Sequence, residues 1–195
     1  MEIIKDGTGS GKVAKVDEHN RLNTFATTRS RISFVSQEHQ SSFMVYAKRD
    51  FVAANTDEAI LCFTYTGDTM CFIDSITFST NSSSATIELY ADHTTIGGGT
   101  QYTPINLNRS SSISSNVTAI IGVSGSDGEL DISYNEEVDE FLDIRLSTGL
   151  PSFKYDFNDG FILGRGDSFA IIGKVGSVGD KIRAAVYYFE EPNVS

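Results

Sequence analysis

A glycine-rich run near the start of the chain has the residue types of a phosphate-binding loop. The run is KDGTGSGKVAK, residues 5–15. A P-loop needs a glycine, four further residues, then Gly-Lys and a Ser or Thr that reaches magnesium. Asp6 stands where the first glycine belongs, and Val13 stands where the hydroxyl belongs. Because a carboxylate repels phosphate and no helix pattern follows, we expect a flexible, extended arm rather than a nucleotide site.

Histidines are the next candidates for chemistry. His19, His39 and His93 are scattered, and none has the HExxH spacing of a zinc site. No spacing ties one of them to a particular serine and aspartate as a catalytic triad would require. The sequence therefore predicts no catalytic residue, no metal ligand and no cofactor.

The densest group of acids, SDGELDISYNEEVDEFLD, covers residues 126–143. An EF-hand loop needs oxygen ligands at alternating positions before its glycine, but Val123 and Gly125 occupy two of those positions ahead of Gly128. An irregular calcium site and a glycosidase pair of carboxylates stay open as alternatives. Adjacent strand residues point to opposite faces, which disfavours the carboxylate pair. A charged edge strand is the favoured interpretation.

Arg165-Gly166-Asp167 spells the integrin-binding tripeptide. Its setting is FILGRGDSFAIIG, residues 161–173, where glycines flank the arginine and an apolar strand pattern follows. Gly is the residue that turns require. We therefore interpret the tripeptide as a turn between two strands.

Short segments with alternating or β-branched residues recur along the chain and alternate with Gly/Asn/Asp turn signals. The predicted strands are 41–48, 58–66, 70–79, 84–91, 117–123, 129–134, 140–146, 152–157, 168–173 and 181–190. Many short strands with almost no helix predict an all-β, antiparallel β-sandwich, of which the jelly roll is the leading form. We expect an extended N-terminal arm over 1–30 and the sandwich domain over 31–195.

The two cysteines lie on either side of a turn signal. If Gly67-Asp68 is the turn of a hairpin, Cys62 faces Ile73 and Cys71 faces Thr64, so the sulfurs are diagonal neighbours. We therefore expect buried, reduced thiols, which suits assembly in a cytoplasm.

The charge of the chain limits its partners. The 15 basic and 26 acidic side chains give a net −11, which disfavours nucleic acid and an anionic membrane. No apolar run is long enough to span a bilayer, and the start lacks a secretion signal. Residues 1–31 hold six basic and four acidic side chains, a net +2, so the remainder carries −13. A mildly basic arm on an acidic body is suited to docking on an acidic surface, including another copy.

Four stretches of the chain match a known pattern. They are IIKDGTGSGKVAKVDEHNRLNTFA (3–26), YTGDTMCFIDSI (65–76), GGGTQYTPINLNRSSS (97–112) and FILGRGDSFAIIGKVGSVGDKIRAAVYYFE (161–190). These stretches resemble a family of tailed-bacteriophage virion structural proteins, in which a glycine-rich KDGTGxGxxAxVDxxNRL arm precedes an all-β body.

The resemblance implies a non-enzymatic homo-oligomer on the outside of a virion that assembles in the host cytoplasm. The leading hypothesis is a capsid decoration (cement) protein, trimeric, whose arm clasps a neighbouring copy or the major capsid protein. The interface residues expected in the arm are Lys5, Gly7, Gly9, Gly11, Lys12, Lys15 and Arg21. The alternative is a tail, fibre or baseplate component that recognises host glycans through exposed aromatics such as Tyr102, Tyr134 and Tyr155; an enzyme on a β scaffold is disfavoured.

Overall fold

The structure is a computed structural model that describes residues 3–5, 13–16, 22–23, 35–36, 39–122, 130–134, 140–147 and 150–191. The chain divides into two units, residues 1–30 and 31–195. Sixteen strands lie in the described residues.

In the first unit, the strands are β1 (Ile3–Lys5), β2 (Val13–Val16) and β3 (Leu22–Asn23). They form an antiparallel sheet in the order β1-β2-β3, with Ile3 opposite Lys15 and Lys5 opposite Val13. Whether this unit acts as an arm that docks on a partner stays a prediction.

The second unit contains the thirteen other strands of the described residues. They are β4 (Ser42–Asp50), β5 (Glu58–Tyr65), β6 (Cys71–Thr80), β7 (Ser84–Ala91), β8 (Thr94–Gly97), β9 (Thr100–Tyr102), β10 (Ile105–Asn106), β11 (Val117–Ile121), β12 (Asp131–Ser133), β13 (Glu140–Ser147), β14 (Ser152–Leu163), β15 (Ser168–Val175) and β16 (Lys181–Glu190).

Two antiparallel sheets hold most of these strands. The five-stranded sheet has the order β10-β4-β16-β6-β14, and the six-stranded sheet has the order β13-β7-β15-β5-β11-β9. Each sheet turns one face to a shared core, which is the arrangement that lets amphipathic sheets bury their apolar faces. The predicted all-β fold with antiparallel sheets packed together is confirmed.

The core follows from strand alternation. On β16, Ile182, Ala184, Val186 and Tyr188 point inward and are buried, while the residues between them are half-buried. Aromatic rings pack within and between the sheets: Phe63 stacks on Phe169 of its own sheet with centroids 4.8 Å apart and meets Tyr188 of the other sheet edge-on at 5.0 Å. Burying each such ring contributes on the order of 1.5–3 kcal/mol.

β8 and β12 form a two-stranded sheet that packs on the outer face of the six-stranded sheet, and we call it the outer cover. The apolar residues shared by this cover and the sheet are Ala59, Cys62, Tyr90, Leu130, Ala170, Ile172, Ile120, Ile132 and Tyr134. The rings of Tyr90 and Tyr134 lie 4.3 Å apart. The cover explains why β5 and β15 are buried on both faces.

An ion pair between Arg49 and Glu58 lies inside the sandwich at one end. The two residues are 1% and 5% exposed, and the Arg49 Nη2 and Nε atoms lie 2.5 Å and 2.7 Å from the Glu58 Oε2 atom. Arg49 belongs to the five-stranded sheet and Glu58 to the six-stranded sheet. The pair therefore joins the two sheets across the core.

A β-bulge turns Glu58 inward. Ile171 pairs with Leu61, but the next residue, Ile172, pairs with Ala59, so Ile60 is the extra residue of β5. The bulge reverses the alternation, which places Glu58 on the same side as the core residue Ile60.

Gly122 makes room for this pair. A Cβ built on Gly122 would lie 2.1 Å from the Ala59 carbonyl oxygen and 3.3 Å from Arg49 Nη1. The Gly122 N–H donates to the carbonyl of the bulge residue Ile60 at 2.9 Å. Only a residue without a side chain allows such a close backbone approach.

The predicted hairpin around Gly67-Asp68 is wrong. β5 pairs with β15 and β11, whereas β6 pairs with β16 and β14, so the connection crosses from one sheet to the other. Cys62 consequently lies under the outer cover and Cys71 lies in the main core. Both thiols are free and buried, as predicted.

We predict that Arg49→Met lowers the free energy of unfolding by about 3–5 kcal/mol, because it leaves the Glu58 carboxylate buried without its cation. The double variant Arg49→Met, Glu58→Met removes both charges and should lose less than the single variant. Urea unfolding of the three proteins measures the difference. A double variant that is less stable than Arg49→Met would contradict this account.

Candidate functional site

The other end of the sandwich is organised around the carboxylate of Glu190. This residue is 4% exposed. Its oxygens accept hydrogen bonds from Ser115 Oγ at 2.6 Å, from the Asn116 backbone N–H at 2.9 Å and from Asn116 Nδ2 at 2.6 Å. These neutral donors satisfy the buried oxygens, as a carboxylate taken out of water requires.

The position of Glu190 follows from the strand that carries it. Glu190 continues the inward series of β16 two residues after Tyr188. Ser115 contacts both, because its hydroxyl also lies 2.7 Å from the Tyr188 phenol oxygen. Burial raises the pKa of the Tyr188 phenol well above its usual value, so the hydroxyl stays protonated and available for hydrogen bonding.

The donors come from a serine- and asparagine-rich loop between β10 and β11, residues 107–116. The side chain of Asn106, the last residue of β10, fixes the backbone of this loop. Asn106 Oδ1 accepts from the Asn108 N–H at 2.9 Å, and Asn106 Nδ2 donates to the Ile113 carbonyl at 3.0 Å. These hydrogen bonds between side chains and backbone take the place of the backbone–backbone hydrogen bonds of a sheet. The loop therefore has a defined path that ends at Glu190.

A depression of about 380 Å³ lies at this end of the sandwich. The residues that line it are His39, Ser41, Thr66, Gly67, Asp68, Thr69, Ile113, Ser114, Asn116, Glu190 and Glu191. Asp68 also pairs with Arg165 at 2.6 Å. The site offers carboxylates and hydrogen-bond acceptors, so it is suited to a cationic or donor-bearing group rather than an anion.

A second depression, of about 400 Å³, lies beside the Arg49–Glu58 pair. Its lining residues are Asp57, Glu58, Ala59, Leu130, Asp131, Ile132, Tyr134 and Ile172. Asp57 is held by Lys174 Nζ at 2.8 Å. This depression lies between the outer cover and the start of β5.

The predicted arm residues are placed only in part. Lys5 lies in β1 and Lys15 in β2. Gly7, Gly9, Gly11, Lys12 and Arg21 lie outside the described residues. The arm as an interface stays a prediction.

The Arg165-Gly166-Asp167 tripeptide forms a turn between β14 and β15. The Asp167 N–H donates to the Gly164 carbonyl at 3.1 Å, and Gly166 has φ +91°. Asp167 Oδ2 accepts from the Gly164 N–H at 2.8 Å, so its carboxylate closes the turn. A left-handed residue at the third turn position needs glycine, which accounts for the sequence.

Part of the acidic run at 126–143 is visible in the structure. Asp131 lies in β12, and Glu140 and Asp143 lie in β13, an edge strand of the six-stranded sheet. Within the described ranges, no group of three or more His, Cys, Asp or Glu residues is arranged to hold a metal ion. Residues 135–139 lie outside them, so an irregular calcium site stays an open alternative.

The tyrosines expected to be exposed are half-buried. Tyr102 and Tyr134 contact the two apolar clusters, and the ring of Tyr155 lies 4.8 Å from that of Phe157. Their rings contribute to packing of the sandwich and leave only part of each surface for a ligand.

Sequence reasoning missed the buried charged residues Arg49, Glu58 and Glu190. The signal was present for Arg49, which follows Phe43, Val45 and Ala47 at a spacing of two and so takes the inward phase of β4. In the same way, Glu190 follows the inward residues Val186 and Tyr188 of β16 at a spacing of two. A charged residue in the inward phase at a strand end predicts a buried partner.

Comparisons with protein-family models, with curated proteins and with solved structures find no match for this chain. Among the described residues, no helix is long and apolar enough to cross a membrane.

We predict that Glu190→Gln destabilises the protein by about 1.5–3 kcal/mol, because an amide cannot accept all the hydrogen bonds that converge on the carboxylate. The neighbouring exposed Glu191 bonds through its backbone, whose N–H donates to the Met70 carbonyl and whose carbonyl accepts from the Thr69 hydroxyl. Glu191→Gln is therefore the matched control and should change stability by less than about 0.5 kcal/mol. Chemical denaturation measures both. Equal effects of the two substitutions would contradict the role assigned to Glu190.

His93 is another buried polar residue. It lies between β7 and β8, is 8% exposed, and its Nδ1 atom has no hydrogen-bond partner among the residues that the structure describes. Burial lowers the pKa of its imidazole below the usual 6.5, and the charge of Asp92 opposes that shift. The folded protein therefore holds His93 neutral.

We predict that this histidine makes stability fall in mild acid. Since its pKa is lower in the folded than in the unfolded chain, the unfolded chain binds the proton first below about pH 6.5. Above that pH the neutral His93 makes its full contribution to the free energy of unfolding. As the pH falls toward the lowered pKa of the folded protein, the free energy of unfolding decreases by up to about 1.4 kcal/mol per pH unit. Urea unfolding from pH 7.5 to 5 should show a shallower pH dependence for His93→Leu than for the wild type; identical slopes would refute it.

Proposed function

We propose that this protein is a non-enzymatic structural component of a tailed-phage virion, a capsid decoration (cement) protein on the exterior of the head. In this proposal the first unit of one copy binds a neighbouring copy or the major capsid protein and bridges capsomers. The working assembly is a homotrimer, formed in the host cytoplasm, without a cofactor, nucleic acid or membrane as partner.

The observation that carries the proposal is the division of charge between two separate units. The structural division falls at residue 30. The first unit holds five basic and four acidic side chains, a net +1, so the second unit carries −12 of the total −11. Like-charged bodies repel one another, whereas a basic segment is attracted to an acidic surface. A first unit with positive charge can therefore hold the acidic second units of neighbouring copies side by side.

The strand order supports a rigid, shell-building body. We infer that the sandwich is a jelly roll, because its eight long strands divide into β4-β16-β6-β14 and β5-β15-β7-β13. In that interleaved order, all connections except β7 to β13 cross between the sheets, as in two Greek keys. Viral capsid domains are among the proteins that use this architecture.

The ends of the sandwich also favour a binding role over catalysis. Glu190 is used to fix a loop, Asp167 to close a turn and Arg49 to join the sheets. Each of these charged groups has a structural partner. The charged groups near the depressions therefore shape a surface that can be recognised by a partner.

We predict that neutralising the first unit weakens binding to phage heads that lack this protein. The variant Lys5→Gln, Lys12→Gln, Lys15→Gln should bind at least about tenfold more weakly, because three charge contacts of up to about 1 kcal/mol each are lost. Co-sedimentation with the heads measures it. The matched control is Lys48→Gln, Arg145→Gln, Arg165→Gln, which removes three exposed charges from the body.

Removing residues 1–25 should abolish the binding and leave the heads as fragile as heads without the protein. Unchanged binding and unchanged head stability would show that the mechanism is wrong. A tail, fibre or baseplate component is the competing candidate, and it predicts few copies per particle and binding of the isolated protein to host cells. Copy number from a stained gel of purified particles separates the two.

A further inference from the structure

β14 is an edge strand of the five-stranded sheet. It pairs with β6 on one side, and no described strand pairs with it on the other. An unpaired edge presents a row of backbone donors and acceptors to any strand that matches it. The register of β14 with β6 is continuous from Ser152 to Asp156 and shifts between Asp156 and Phe161.

The backbone groups at the free side of β14 can be assigned. The Thr80 N–H donates to the Pro151 carbonyl at 2.9 Å, so Pro151 faces β6. Because these directions alternate, Phe153 and Tyr155 also direct their backbone groups to β6. The N–H and C=O groups of Lys154 and Asp156 therefore point away from the sheet.

The side chains of this segment are self-complementary about Tyr155. In an antiparallel pair of two copies centred on that residue, Lys154 of each copy lies opposite Asp156 of the other. Phe153 lies opposite Phe157, and Tyr155 lies opposite Tyr155. Opposite charges and aromatic pairs are the cross-strand combinations that stabilise sheets.

The aromatic side chains have surface left to bury. Phe153, Tyr155 and Phe157 are half-buried and form a row, with ring centroids 6.4 Å and 4.8 Å apart. Phe153 and Phe157 contact the main core. A second copy at this edge would cover the exposed part of the row.

We propose that two copies of this chain join through their β14 edges, antiparallel, about a twofold axis at Tyr155. The two five-stranded sheets become one continuous sheet. Within one copy, Lys154 Nζ and Asp156 Oδ1 lie 2.5 Å apart, and both side chains are 53% exposed. Pairing of the edges gives each charge a second partner across the interface.

The charges favour a second copy over the basic first unit as the occupant. The edge segment carries one positive and one negative charge, so its own reversed image complements both, whereas a segment that presents positive charge complements Asp156 alone. The neighbouring edge, β13, fits less well. Centred on Ile144, it would pair Asp143 with Arg145 but would place Phe141 opposite Ser147.

This contact does not depend on the proposed capsid function. An isologous contact closes on two copies, so in a trimer it would join two trimers rather than build one. It therefore supplies a connection between assemblies that is separate from any contact made by the first unit.

Cysteine cross-linking tests the register. Opposed residues that are not hydrogen-bonded have Cα atoms about 4.5 Å apart, within the range that a disulfide spans. Full-length Tyr155→Cys should therefore form a covalent dimer under mild oxidation. In Lys154→Cys the two Cα atoms would be about 9 Å apart, too far for a disulfide. No dimer from Tyr155→Cys, or equal dimer from both variants, overturns the proposal.

Charge exchange tests the interface in solution by light scattering during gel filtration. Lys154→Asp places two pairs of like charges at the interface, and we expect the dissociation constant to rise about tenfold or more. Adding Asp156→Lys restores opposite pairs and should restore the dimer. The control Arg145→Asp makes the same charge change on β13 and should leave association unchanged. Dissociation by Arg145→Asp, or no effect of Lys154→Asp, overturns the proposal.

Discussion

The two sheets of the sandwich are held in one arrangement by the buried contact between Arg49 and Glu58. A core of aliphatic and aromatic side chains favours burial but tolerates sliding of one face over another, since hydrophobic attraction has no direction. The ion pair has a direction, because a guanidinium and a carboxylate must meet edge to edge. The bulge at Ile60 and the missing side chain of Gly122 serve that contact. Breaking it would leave charge inside the protein, which costs far more than a misplaced methyl group.

At the opposite end of the sandwich, a buried charge is satisfied by hydrogen bonds. The buried carboxylate of Glu190 accepts hydrogen bonds from Ser115 and Asn116, which are neutral donors. One end therefore connects sheet to sheet, and the other connects a strand end to a long loop. The Glu190 end therefore carries the loop and one depression, and the Arg49 end carries the contact between the sheets and the other depression.

The local pattern of residues was enough to predict the strands but not their partners. The predicted segments 84–91 and 181–190 coincide with β7 and β16. The connection at Gly67-Asp68 was misread because a tight turn signal fits a hairpin and a crossing between sheets equally well. Which of the two occurs depends on β15 and β16, about 100 residues further along the chain.

The candidate sites were harder to predict than the fold. A glycine-lysine spacing can be tested against a motif, so the nucleotide loop was excluded from sequence alone. The partners of Glu190 come from a loop 74 residues away in sequence, and no local pattern predicts that meeting. The short strands β8, β9 and β10 were missed for a similar reason, since their pairing with distant strands decides their conformation.

The interleaved strand order has a consequence for synthesis of the protein. β16 lies in the middle of its sheet, and its Phe189 pairs with Ser42 of β4. Ser42 is synthesised near the start of the second unit and Phe189 near its end. β16 lies between β4 and β6, so their sheet cannot close until β16 has been synthesised. During that delay the nascent chain exposes apolar strands, and its acidic side chains keep neighbouring nascent chains apart.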